Sequence, residues 1–202
     1  MTLQGILVLV LGFAAGFLFY ESSFVTKYIH DELVSQQISF PDKATLTSAK
    51  NADGTPEYTN LVIQYAGQPV DNGDKAYAYA NGFIGVHLES VAKDPVTGQV
   101  IKDPNGNTMT YATMGDYINK QKAANAPAST ITALTNERNT MFTGEMLRGT
   151  LLNAWGWSQL AMYTFYAGIV ATLGALAVLG ALVFELFFAK PQVFSVEQKR
   201  AA

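Results

Sequence analysis

The chain holds two histidines, each beside carboxylates: His30 is followed by Asp31 and Glu32, and His87 by Glu89. Imidazole and carboxylate are ligands of zinc and non-haem iron, whose sites need two or three such groups converging on an open position. The spacing gives no support, because neither H-x-H nor H-x-x-x-H occurs. His87 also falls in the apolar row of a helical stretch, where a core histidine held by a hydrogen bond is expected. Glu145 and Arg148, three residues apart in Gly144-Glu145-Met146-Leu147-Arg148-Gly149, are spaced to pair on one helical face, a structural ion pair. Glu185 is the one ionisable residue inside an apolar run, and burying its charge in lipid costs several kcal/mol. About one turn from Lys190, it reads as a snorkelling or locally paired acid, ahead of a partner contact or a proton relay. No G-x-S-x-G, S-x-x-K, phosphate loop or dinucleotide fingerprint is present, and cysteine is absent. No catalytic residue, metal site or cofactor is therefore expected, and the chain reads as a non-enzyme.

Two apolar runs, Leu3 to Tyr20 and Ala161 to Ala189, position everything else. Crossing a bilayer takes about 20 mostly apolar residues at 1.5 Å each, and both runs approach or exceed that. The expected fold is mainly α: a first transmembrane helix over residues 1–20, a helical extracytoplasmic domain over 21–158, a second transmembrane helix over 159–189 and a cytoplasmic tail over 190–202. The first run lacks the charged start and small-x-small site of a cleaved leader, so it reads as an uncleaved signal anchor. Lys190, Lys199 and Arg200 follow the second run, against Lys27 and Arg148 near the ends of the loop. That bias places both termini in the cytoplasm and the middle domain outside a plasma membrane. With a formal charge of −3 and no basic cluster, nucleic-acid partners are not expected.

The runs also read as packing surfaces. Gly12 and Gly16 form a G-x-x-x-G, and Gly168, Ala171, Gly174 and Ala175 give the second run small-residue stripes, which let helices approach closely. Tyr20, Trp155, Trp157, Tyr163 and Tyr166 sit where amphipathic rings anchor at the headgroups.

Between the runs, Phe24, Val25, Tyr28, Ile29 and Leu33 continue the first helix outward to about Gln37, with Pro41 beyond it. Residues 42–56 read as a mobile surface loop. A strong core helix is expected from Gly73 to Ala92, capped by Asp71 or Asn72, with Ala76, Ala80, Phe83, Ile84, His87, Leu88 and Val91 buried. Asp103-Pro104-Asn105-Gly106 is the turn of a small β-hairpin joining 99–102 to 108–111. Thr110 caps a helix to Ala124, and a last helix from Ser129 or Thr130 feeds the second span.

Three stretches, Tyr28 to Pro41, Tyr65 to Leu88 and Met141 to Trp157, resemble segments of an actinobacterial family of two-span membrane proteins with a helical extracytoplasmic domain. Its members carry similar Y-V-x-D-x-L-x-x-Q-x-I-x-F-P, Y-A-G-Q and G-E-x-L-R-G-x-L-L-N-A-W/Y segments, and are often described as aromatic ring-opening dioxygenases. The resemblance implies this architecture and no biochemical role that can be carried over; residues 93–108 look like an insertion. The expected function is an accessory or structural subunit of a larger membrane complex, with other integral-membrane subunits and lipid as partners. An extracytoplasmic ligand-binding or sensing module is the alternative, motivated by Tyr65, Tyr77, Tyr79 and Tyr111, and a membrane enzyme stands third.

Overall fold

A computed structural model describes residues 2–51 and 53–188. The protein is mainly helical, as expected: α1 (Thr2–Ser35), α2 (Lys43–Ser48), α3 (Asn60–Ile63), α4 (Gly73–Tyr77), a π-helical segment (Ala78–Ile84), α5 (Gly85–Glu89), α6 (Tyr111–Ala123) and α7 (Ala128–Phe187). α1 and α7 are each long and apolar enough to cross a membrane. The chain divides into two units, residues 1–23 with 162–202, and residues 24–161.

In the second unit, residues 24–35 of α1 and 128–161 of α7 frame the short helices. Ile29 and Leu33 of α1 and Leu151 of α7 are buried with Phe40, Leu46, Val62, Val70, Ala76, Ala78, Ala80, Ile84 and Leu88. The stretch 73–89, expected as one α-helix to Ala92, departs from regularity in its middle. The Gly85 N–H donates to Ala80 O, five residues back, and Gly85 to Glu89 resumes the α form before the chain turns off. Small residues alternate through this piece, so that Ala76, Ala78, Ala80 and Gly82 are all buried and neighbours approach from several sides. Val62 comes so close that a Cβ at Gly82 would overlap its methyl group.

Residues 42–56 are not a plain loop. Asp42 accepts the Thr45 N–H at 2.8 Å and caps α2, whose Leu46 is fully buried. Beyond α1, the Phe40 N–H donates to Gln68 O and the Val70 N–H to Ile38 O, at 2.9 Å each, so that 38–41 runs antiparallel to 67–70. Gly67, at φ +72°, makes the return that an L side chain rarely permits.

A second core joins Met114 and Ile118 of α6 to Leu134 and Met141 of α7, with Ala92 and Met109. Thr110 and Thr113 form the reciprocal cap that starts α6, and Asn125, left-handed at φ 55°, ends it. The hairpin appears as an isolated bridge, Lys102 to Thr108, preceded by a second from Lys93 to Val100. The Asp94 and Asp103 carboxylates hold the two turns by accepting N–H groups two to four residues on.

Candidate functional site

In the unit formed by the apolar parts of α1 and α7, the small face of α7 turns to α1. Phe19 lies over Gly168, where a Cβ would sit 2.9 Å from the ring, and Leu11 reaches Gly174 at 3.6 Å. Phe19 also meets Phe165 edge-on at 5.5 Å. Ala171 and Ala175 are half-buried in the same unit. The G-x-x-x-G of α1 takes no part: nothing comes within 4 Å of a Cβ built at Gly12 or Gly16, and Ala15 is the residue buried between the helices. Tyr20, Tyr163 and Tyr166 are largely exposed.

Glu185 has a partner across the pair. Gln4 Nε2 donates to its carboxylate at 2.8 Å, so the acid is held by the other helix, while Lys190, its expected partner, lies outside the described residues. Gln4 is the one amide in the first apolar run and Glu185 the one acid in the second. That pairing was available as a signal, since lone polar groups in spans tend to find each other.

In the second unit, Arg148 lines a polar cleft of about 260 Å³. Its ion pair with Glu145 is long, at 3.5 Å, and the stronger bond is from Nη2 to Asn81 Oδ1 at 2.9 Å. Asn81 belongs to the π-helical segment, a form often found at functional sites. The Arg148 Nε–H is buried near Gly85 with no protein acceptor. Glu89, Thr110, Tyr111 and Met141 complete the wall. Arg138 fixes Tyr111 by lying 3.8 Å over its ring and donating to its carbonyl at 3.0 Å. Guanidinium and carboxylates around a small space suit the binding of a polar molecule with both a hydrogen-bond acceptor and a donor. Sequence reasoning found Glu145 and Arg148 and missed Asn81, which carries no signal inside an apolar helix.

The two histidines do not meet. His30 Nδ1 lies 2.9 Å from the Asp71 carbonyl, beside an ion pair in which Lys75 reaches Asp71 at 3.0 Å. His87 is exposed, correcting the core position expected for it, and stacks on Phe83 at 6.0 Å above an apolar hollow. The same apolar row places Ile84 and Leu88 correctly, both buried, so the face turned to the core is narrower than the row suggests and His87 stands outside it. No group of three metal-ligating side chains occurs among the described residues.

The tyrosines that motivated a ligand pocket are mostly packing groups. Tyr65 and Tyr79 flank Phe40 at 5.6 and 5.2 Å, and Tyr79 continues to Phe83 and from there to Tyr58. Burial, helped by the Glu57 charge, pushes the Tyr58 hydroxyl up to about 12. Tyr77 meets Trp155 at 4.8 Å, which makes Trp155 a half-buried packing residue of this unit, whereas Trp157 is exposed. α4 starts against this same stretch: a Cβ at Gly73 would overlap Ser158.

A groove of about 580 Å³ runs between the outer parts of α1 and α7. Phe24, Tyr28 and Glu32 form one row from α1, continued by Gln36 in the turn after it, with Val25, Ile29 and Leu33 deeper, and Leu147, Thr150, Leu151, Asn153, Ala154 and Trp157 come from α7. No family model matches the chain, and neither curated proteins nor solved structures give a match.

Proposed function

We propose that this protein is an accessory subunit of a larger integral-membrane complex, holding its partners through its spans and outer domain and catalysing nothing itself. The observation that carries this reading is the bare glycine face of α1. Within its own chain α1 packs through Ala15, Leu11 and Phe19, and the Gly12–Gly16 stripe has no neighbour within 4 Å. Hydrocarbon gives no reason to strip side chains from a lipid-facing surface, whereas a second helix does, because helices associate in lipid through close packing of small residues. The reading places the protein in the plasma membrane with both termini cytoplasmic, among other integral-membrane subunits and lipid.

Purification from native membranes in mild detergent tests it. The wild-type chain is expected to bring a stoichiometric membrane partner, and Gly12→Leu with Gly16→Leu to lose it while the Gly168 face keeps the chain's own helices together. A wild-type chain that runs alone, at the mass of one protomer, sinks the proposal.

A second reading, an extracytoplasmic binding module for a small polar molecule, is favoured by the cleft at Arg148. Arg148 lines this space together with Glu89 and Glu145, and its buried Nε–H has no acceptor in the protein. Arg148→Lys keeps the charge and removes the fork, so a bound molecule would be released by it and an unliganded subunit unaffected.

A further inference from the structure

Three asparagines in the chain precede glycine: Asn72, Asn81 and Asn105. Such a pair is able to modify itself, because glycine has no side chain to hinder attack of its backbone nitrogen on the asparagine Cγ. The structure separates the three. Asn72 caps α4: its Oδ1 accepts the Lys75 N–H at 3.0 Å, its Nδ2 donates to Asp71 at 2.9 Å, and Gly73 is buried against Ser158. Asn81 accepts from Arg148 Nη2 at 2.9 Å, and Gly82 is buried inside the π-helical segment, whose backbone would have to leave its helical form for a ring to close. Asn105 is held by neither device. It is exposed with Gly106 at the tip of the hairpin, its side-chain amide makes no hydrogen bond among the described residues, and nothing lies within 4 Å of a Cβ built at Gly106. The Gly106 N–H donates to Asp103 O at 2.9 Å, but that bond sits in a surface turn closed by one isolated bridge, Lys102 to Thr108, and opens with it.

We propose that Asn105 is a self-modification site, converting to aspartate and isoaspartate with water as the only co-reactant and loosening the hairpin turn as it does so. The Gly106 nitrogen bonds to Asn105 Cγ, the Cγ–Nδ2 bond breaks, and ammonia leaves with the proton that the nitrogen gives up, which closes a succinimide ring. Water then adds to one of the two ring carbonyls and cleaves its bond to the nitrogen. Cleavage at Cγ gives aspartate; cleavage at the main-chain carbonyl gives isoaspartate, with the chain running through the former side chain and one more carbon in the backbone. The Asp103 carboxylate holds this turn by accepting the N–H groups of Asn105 and Asn107, at 2.9 and 2.7 Å. Either product sets a second carboxylate two residues away, which repels the first, and the longer backbone of isoaspartate spoils the spacing of those two N–H groups.

The full-length chain, purified in mild detergent, is held in mildly alkaline buffer and its peptides are followed by mass spectrometry, with isoaspartate scored by enzymatic methyl transfer to its carboxylate. Conversion is expected to run about tenfold or more faster at Asn105 than at Asn72 or Asn81, and the three rates to converge once the chain is unfolded in urea. Asn105→Gln should abolish the fast conversion. In the aged wild type the Asn107 amide should exchange with deuterium faster than in fresh protein. Comparable or faster conversion at Asn72 or Asn81 in the folded chain, or none at Asn105 over a period in which the unfolded chain converts, overturns the assignment. Conversion that leaves the Asn107 exchange unchanged overturns the loosening of the turn.

Discussion

Tyr58 shows how a single buried hydroxyl links the packing of this domain to pH. Its ring is stacked 5.4 Å from Phe83, and burial raises its ionisation from 10 to about 12. The unfolded chain then releases the proton first as pH climbs, so stability is intact below about 10 and is lost progressively between 10 and about 12. Tyr58→Phe removes that dependence: chemical denaturation should show wild type weakening across the interval and the variant holding a flatter profile. Equal slopes would place the hydroxyl in water. Arg148 is the opposite case, a charged residue fixed by Asn81 rather than by the acid three residues before it. Its role could be named from the sequence, but not its main partner, because a bond spanning 67 residues leaves no local pattern.

At the scale of elements, glycine serves the outer domain in two ways that substitution separates. Gly82 lies against Val62, whose side chain is fully buried, so Gly82→Ala forces the two apart and should cost about 1–3 kcal/mol. Gly149, within α7, has nothing within 4 Å, and Gly149→Ala should gain up to about 1 kcal/mol from helix propensity. Thermal unfolding of both variants checks the pair; a neutral Gly82→Ala would mean the helix can shift away from Val62. The long helices were legible because an apolar run of span length has few alternatives, and α6 because Thr110 and Pro127 mark its limits. α2 was not, since Lys43 to Ser48 offers one buried leucine and no repeat, and its stability comes from the Asp42 cap and from Leu46 in a distant core. The π segment was hidden for a related reason: Ala78 to Ile84 suits either helix, and the choice is made by what packs around it. The segments around Ser39, Pro69, Asn81 and Arg148, read separately in the sequence, meet through the 38–41 to 67–70 pairing and the Asn81–Arg148 bond.

For the whole molecule, α1 and α7 are each long and apolar enough to cross a membrane, and in the proposed two-span reading residues 2 and 188 lie on one side and the domain between them on the other. The direction rests on basic residues near the spans: acids count little in this rule, so the Lys27–Asp31 pair still contributes one positive charge to the domain side. Against it stand Lys190, Lys199 and Arg200 in the tail. The absence of cysteine makes the orientation directly measurable, because one introduced thiol is the only one present. Thr97, exposed in the turn held by Asp94, is expected to react as Thr97→Cys with a membrane-impermeant maleimide on intact cells. Thr2→Cys, at the start of α1, should react only after permeabilisation. The reverse pattern would turn the domain, with its groove and Arg148 cleft, toward the cytoplasm, and partners would then be sought there. Equal reaction of both thiols on intact cells would remove the two-span topology itself, and with it the argument that the bare glycine face of α1 awaits a second membrane helix.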